Sequence, residues 1–336
     1  MLNGKSILIN GGTGSFGKAF TKRILKSFPK IKRLVVFSRD ELKQFEMEKE
    51  IPKKKYKSLR YFIGDVRDLS RLIRAFEGID IVIHAAALKQ VPTAEYNPME
   101  YVKTNVIGAQ NIIEASIEKK IKKVIALSSD KAAAPINLYG ATKLCSDKLF
   151  VAANNYAGRE GLFSIIRYGN VMGSRGSIIP HFIKQAGSGE LNITDKSMTR
   201  FNITLDHSVD LVLFAIKNSF GSEILIPKIP SYRITDLAKS IAPSCKLNVI
   251  GIRPGEKIHE EMVTESDSVT TFDIGDYYIV LPNENKRIQN HYSKKFNLKK
   301  VKKGFRYNSG LNPSFLKIDQ IRKLIKKHVD NNFKPI

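Results

Sequence analysis

The sequence contains no tryptophan, only two cysteines and far fewer acids than bases. With Cys145 and Cys245 alone there are too few thiols for a disulfide framework, so a reducing, cytoplasmic setting is expected. No uninterrupted apolar run approaches the roughly 18–20 residues that span a bilayer, which argues against membrane insertion. The opening residues, Met1 to Asn10, lack the shape of a signal peptide, their apolar part being short and running into glycines. A hydrophobic content of 42% excludes a disordered chain, and 22 glycines in 336 residues exclude a collagen-like one. That length suits one large domain or two fused ones, with a sizeable core.

The shortage of acids leaves 56 Lys and Arg against 32 Asp and Glu, a net charge of +24. Such a field attracts polyanions: nucleic acid, anionic lipid or phosphorylated small molecules. The bases come in short clusters, as at Lys53, Lys54 and Lys55 and again at Lys119, Lys120, Lys122 and Lys123. Residues 291–328 hold 12 bases and one acid, Asp319. These read as a solvated, lysine-rich surface. Aromatics are not interleaved with them as a nucleic-acid stacking platform needs, so nucleic acid is not an expected partner. The terminal helix lacks the tryptophan and broad apolar face of a membrane-surface helix.

The N-terminal half alternates apolar runs with helical patterns. Residues 6–10, 34–38, 61–63, 79–85, 124–128 and 164–167 read as strands. Most lack clean alternation, as parallel strands covered on both faces should. Residues 16–28, 40–50, 68–76, 98–119 and 137–156 read as helices between them. This rhythm predicts an α/β fold, a doubly wound parallel sheet of the dinucleotide-binding (Rossmann) kind, over residues 1–170. Beyond about 170 the rhythm breaks into short strands and proline-rich loops. Residues 171–336 read mainly as a smaller, mixed substrate-binding lobe, with some segments returning to the first domain. Residues 314–329 read as a terminal amphipathic helix.

Gly11-Gly12-Thr13-Gly14-Ser15-Phe16-Gly17 joins the first strand to the first helix. Glycine is needed where the chain turns tightly, where backbone meets a pyrophosphate and where helix packs on strand. The helix N-terminus then faces the diphosphate. After the second strand stand Ser38, Arg39, Asp40 and Lys43. An arginine there accommodates a ribose 2′-phosphate and an acid the free 2′-hydroxyl. Ser38 and Arg39 come first and Lys43 lies one helical turn further, so NADP is expected over NAD, which Asp40 keeps open unless it is a plain helix cap. Asp65 and Val66 follow the third strand, where Asp65 could bond the adenine. Ala85, Ala86 and Ala87 end the fourth, small enough to let a cofactor approach the backbone. His84 reads as a packed core histidine.

Tyr139 and Lys143 lie about one helical turn apart and share a face. An ammonium beside a phenol stabilises the phenolate, giving a base able to take a hydroxyl proton while hydride leaves. With the glycine turn and the serine pair Ser128-Ser129, this pattern resembles the short-chain dehydrogenase/reductase superfamily, in its extended form acting on nucleotide sugars. The segment Ser128-Ser129-Asp130-Lys131 is more specific. It resembles the inverting UDP-N-acetylglucosamine 4,6-dehydratases of pseudaminic acid biosynthesis. Stretches at residues 37–44, 61–68, 94–100, 167–171, 198–201 and 251–257 are similar too, so the likeness spans roughly residues 3–315. The chain departs from that pattern at Ser129 (threonine is usual), Gln90 (histidine), Ala133-Ala134 (Cys-Asn) and Asn202 (an aromatic, whose loss predicts a wetter pocket).

The resemblance implies a hydro-lyase reaction with a tightly bound, recycled cofactor and inversion at carbon 5. In that chemistry Tyr139, with Lys143, deprotonates the carbon 4 hydroxyl. Lys131, held neutral by burial or by the cofactor's charge, removes the carbon 5 proton. Asp130, its pKa raised, protonates the departing carbon 6 hydroxyl, and Ser129 assists. Without the resemblance, Asp130-Lys131 reads equally as an exposed loop ion pair. Lys89 and Asn170 would contact the sugar or diphosphate, Arg200 and Arg253 the diphosphate, and Glu256 a ribose hydroxyl. No metal is called for. A homo-oligomer, dimer or hexamer, is implied by resemblance alone. The alternatives are another UDP-sugar dehydratase or an epimerase serving capsule or lipopolysaccharide, and a catalytically silent cofactor sensor that binds nucleic acid. The final glycan, on flagellin or elsewhere, is left open.

Overall fold

The computed structural model describes residues 1–158, 162–282 and 286–336. In the first half, strands β1 (Ser6–Asn10), β2 (Arg33–Ser38), β3 (Leu59–Ile63), β4 (Ile81–His84), β5 (Lys123–Leu127) and β6 (Phe163–Ile166) are all parallel. Their spatial order is β3-β2-β1-β4-β5-β6, so the winding reverses between β1 and β4. Strand β1 is buried at every residue, which is why it carries no polar alternation, whereas edge strand β3 is partly open.

Helices α1 (Ser15–Ser27), α2 (Glu41–Glu50), α3 (Leu69–Ala75), α4 (Val91–Tyr96), α5 (Pro98–Tyr101), α6 (Gly108–Glu118) and α7 (Leu138–Ala153) connect these strands. The helix expected over 98–119 is interrupted: Val102–Ile107 is wound as a π-helix between α5 and α6. This widened turn carries Asn105, which bonds both backbone groups of Leu88 at 2.9 Å and the Thr142 hydroxyl at 3.0 Å. It therefore ties the loop after β4 to α7, a placement typical of π-turns beside functional sites.

The second half supplies β7 (Asn170–Val171), α8 (Ile178–Gln185), β8 (Glu190–Ile193), β9 (Thr199–Ile203), α9 (Leu205–Asn218), β10 (Ile224–Pro227), β11 (Ser231–Arg233), α10 (Ile234–Ile241), β12 (Lys246–Val249), β13 (Glu261–Val263), β14 (Thr271–Asp273), β15 (Tyr277–Val280), α11 (Lys286–Ser293), β16 (Lys299–Lys300), β17 (Tyr307–Asn308) and α12 (Ile318–His328). Strand β10 joins the large sheet parallel to β6, and β15, β14 and β16 extend it antiparallel to ten strands. Helix α9 packs on α1. Helices α8, α10 and α12 with strands β8 and β11 surround a second apolar cluster that includes Phe182, Leu191, Leu237, Ile241, Ile321 and Ile325, while β9, β13, α11 and β17 pack into the main core.

Helix α12 starts at Ile318 rather than at 314. The preceding segment is pinned as extended chain: the Ser231 amide donates to Ser314 O at 2.9 Å and the Leu316 amide to Ser231 O at 2.8 Å. Both cysteines are free thiols. Among the described residues, no helix is long and apolar enough to cross a membrane.

Candidate active site

A cleft of about 1370 Å³ opens above the β1/β4 reversal, where open α/β sheets bind ligands. All the candidate residues named from the sequence line it. Its two walls are built differently.

The first wall is made of backbone. Gly11 has φ +65°, and a Cβ there would stand 2.7 Å from Ala86 N. At Gly17 a Cβ would reach 2.2 Å from Gly12 O, so only glycine lets α1 start this close to the turn. No side chain caps the start of α1. Its first amides therefore face the cleft unspent, ready for an anion. The Asn10 side-chain oxygen accepts from Ala85 N at 3.1 Å and Ala86 N at 3.0 Å, pressing that strand end against the turn. It also contacts His84 Nδ1 at 2.9 Å. His84 is 1% exposed and burial drives its pKa down to about 3, so it is a neutral core residue, as the sequence suggested.

Beside the end of β2, the Thr13 and Ser38 hydroxyls stand 2.9 Å apart. Asp40 caps α2, accepting from Lys43 N at 3.0 Å and pairing with the Lys43 ammonium. Asp65 is held by Arg67 at 2.8 Å and faces Arg39 at 3.8 Å. Val66 is buried in the same wall. A close backbone turn, free helix amides and half-exposed Arg39 beside Ser38 fit a dinucleotide with its phosphates on α1.

The opposite wall is ionic. Asp130 and Lys131 lie in a short 3₁₀ turn after β5, capped by the Ser129 hydroxyl, which accepts from Lys131 N at 3.3 Å. They do not form an exposed loop pair. Asp130 is 1% exposed; its Oδ1 meets Lys131 Nζ and Ser129 Oγ, each at 3.0 Å, and its Oδ2 is buried without a partner. Burial raises its carboxyl above the usual range, against the pull of Lys131. That suits an acid that must carry a proton.

Burial alone does not hold Lys131 neutral. Burial favours the free amine, but the Asp130 carboxylate and a second one, Glu260, each 3.0 Å from Nζ, outweigh it and hold the ammonium. The Lys143 ammonium turns to Leu127 O at 2.8 Å, and its own pKa is lowered by burial. Burial lifts Tyr139 to about 12, and the opposing pull comes from the Lys131 charge and the Ser129 hydroxyl.

The remaining candidates divide. Lys89 donates to Arg175 O at 3.3 Å, its pKa lowered by burial and then by Lys131. Asn170 has a buried side-chain oxygen with no partner, and Arg253 stands exposed on the rim. Arg200 is spent on the protein: it donates to Thr199 O at 2.7 Å and Ile258 O at 3.0 Å, and lies 3.3 Å from Glu256 and 3.7 Å from Glu260. Asn202 is buried in β9 and does not line the cleft, so its departure does not loosen the pocket. Sequence reasoning missed Glu260, which has no local motif of its own and meets Lys131 only through folding.

A β3-β2-β1-β4-β5-β6 sheet, with a glycine turn at the reversal and Tyr139 and Lys143 on one helix across it, defines the extended short-chain dehydrogenase/reductase fold. A family model described as polysaccharide biosynthesis protein matches residues 7–282. A UDP-N-acetylglucosamine 4,6-dehydratase (inverting) of Campylobacter jejuni is 52% identical over 97% of this chain and 98% of its own. A UDP-glucose 4-epimerase of Rickettsia akari is 43% identical over 96% of this chain and 95% of its own. The solved structure of Pen from Bacillus thuringiensis matches with a TM-score of 0.86 at 38% identity, covering 97% of this chain and 98% of that one. The chain belongs to the polysaccharide biosynthesis protein family and, within it, to the inverting UDP-N-acetylglucosamine 4,6-dehydratases.

Proposed function

We propose that this chain dehydrates UDP-N-acetylglucosamine across carbons 4 to 6 and inverts carbon 5, giving UDP-2-acetamido-2,6-dideoxy-β-L-arabino-hexos-4-ulose. The observation that carries this reading is the buried Asp130-Lys131 pair beside Tyr139. An epimerase only removes and returns a hydride at carbon 4, and needs no such acid and base.

NADP is the proposed cofactor, on the strength of Arg39 and Lys43 beside Ser38; when bound, it would take the carbon 4 hydride and return it to carbon 6. The residues do the rest. Tyr139, with Lys143 one turn away, accepts the carbon 4 hydroxyl proton, eased by the Ser129 hydroxyl. The new ketone acidifies carbon 5, and Lys131, its own proton passed to the Asp130 carboxylate 3.0 Å away, removes the carbon 5 proton. Asp130, its pKa raised by burial, gives the proton it has taken to the departing carbon 6 hydroxyl, and a proton added to carbon 5 from the opposite face completes the inversion. Asn170 and Arg253 bind the diphosphate and sugar, with Lys89 facing the hexose. Because the hydride returns, the cofactor stays bound and the reaction is a lyase step with no net redox change. A cytoplasmic homo-oligomer supplying a precursor of pseudaminic acid, for flagellin or another glycan, completes the reading.

The test is incubation of the purified chain with UDP-N-acetylglucosamine in deuterated water, followed by proton NMR. A 6-deoxy-4-keto product carrying deuterium at carbon 5, with coupling constants of the inverted ring, is expected. Conversion to the carbon 4 epimer without loss of water would assign the chain to epimerisation instead.

A further inference from the structure

We infer that Glu260 is a positioning residue of this site, clamping Lys131 from a second side so that Asp130 keeps one oxygen open for the substrate. The inference rests on the dehydratase reading and deepens it. Glu260 is 2% exposed, yet it lines the cleft. Its Oε1 stands 3.0 Å from Lys131 Nζ and 3.7 Å from Arg200 Nε, while Oε2 is buried with no partner. Its backbone is fixed just before β13, with Glu260 N donating to Ser309 Oγ at 2.9 Å and Ser309 N donating to Glu260 O at 2.8 Å.

A buried carboxylate with idle lone pairs is costly, and stability alone does not explain one, because well-packed apolar groups replace buried ion pairs without loss. The geometry supplies a reason. Asp130 and Lys131 are neighbours in sequence, and with nothing else nearby the ammonium would be free to collapse onto both carboxylate oxygens. Shared with Glu260, it engages Oδ1 alone, and Oδ2 is left without a partner. The same contact sets when Lys131 can lose its proton. The charged or titratable groups facing Lys131 are Asp130, Glu260, Arg200, Lys89, Lys257, Tyr139 and Tyr232. Of these, only Asp130 and Glu260 favour the ammonium at contact distance.

The experiment compares wild type, Glu260→Gln and Glu260→Asp with UDP-N-acetylglucosamine. It follows kcat and KM against pH, deuterium entry at carbon 5, and the near-ultraviolet absorbance of reduced nicotinamide after mixing. Glutamine keeps the shape and loses the charge. Lys131 then holds its proton less tightly, so the rising limb of kcat moves to lower pH by about one unit. At neutral pH, kcat falls roughly 10- to 100-fold as Asp130 loses its open oxygen, with KM within about two-fold. Hydride removal and carbon 5 exchange persist, so reduced cofactor accumulates ahead of water loss. Glu260→Asp restores the wild-type limb. A folded Glu260→Gln protein with wild-type kcat, or with hydride removal and carbon 5 exchange slowed alike and the limb unmoved, overturns the inference alone. A wild type that forms no dehydrated product overturns the dehydratase reading and this inference together.

Discussion

The two walls of the cleft solve opposite problems. The cofactor wall, residues 11–17 and 85–87, works through backbone: glycines that let chain approach chain, and helix amides left unspent. It is preformed and nearly free of buried charge. The ionic wall brings buried Asp130, Arg200 and Glu260 together with half-buried Lys131 in one cluster drawn from three distant stretches of chain. Even their backbone strain differs. The positive φ of the first wall falls on Gly11, where it costs nothing, and that beside the second falls on Ala134, φ 45°. Binding a constant ligand calls for rigid, neutral geometry, whereas moving protons calls for charges whose balance can be tipped.

Substitutions that break one wall and spare the other test this contrast. The largest effect is expected from Lys131→Met: kcat for dehydration falls about 1000-fold or more, while substrate still reduces the cofactor. Stopped-flow absorbance and NMR of the product check both halves. Gly17→Ala breaks the other wall. Its methyl meets Gly12 O at 2.2 Å, so the turn must shift, costing about 3 kcal/mol in chemical denaturation and releasing copurified cofactor.

Asp130→Asn has a smaller effect on stability, and its sign is diagnostic. The folded carboxyl has a raised pKa, so ionising it opposes folding: the penalty is complete above the folded pKa and absent below the unfolded value near 3.8. The variant is therefore more stable than wild type at neutral pH although catalytically crippled, and the two melting temperatures converge as the pH falls toward 3.8. The smallest effect belongs to Ala134→Gly, which relieves a left-handed alanine and raises stability by about 1 kcal/mol in the same denaturation assay. Asparagine tolerates that conformation better than alanine does.

The cofactor wall was legible because its physics is local. The glycine spacing, the unbroken apolar runs of β1 and β5, and Asp40 as a cap all depend on neighbours within a few residues. The π-turn at Val102–Ile107 was not, because its sequence is that of an ordinary helix and its reason, Asn105 reaching Leu88 and Thr142, lies outside the helix. The start of α12 was misplaced for a similar cause, a backbone pairing with Ser231.

By itself, then, the sequence determined a doubly wound sheet, a glycine turn at its first helix and an adjacent Asp130-Lys131 pair, whose acid-base reading came only with the family resemblance. Periodicity, glycine sterics and adjacency are properties of short segments. Only the tertiary structure decided that the pair is buried, that Lys131 is an ammonium shared with Glu260, that Arg200 serves the protein, and that Lys143 faces Leu127. Protonation depends on desolvation and on charges a few ångströms away, and those neighbours come from segments far apart in the chain.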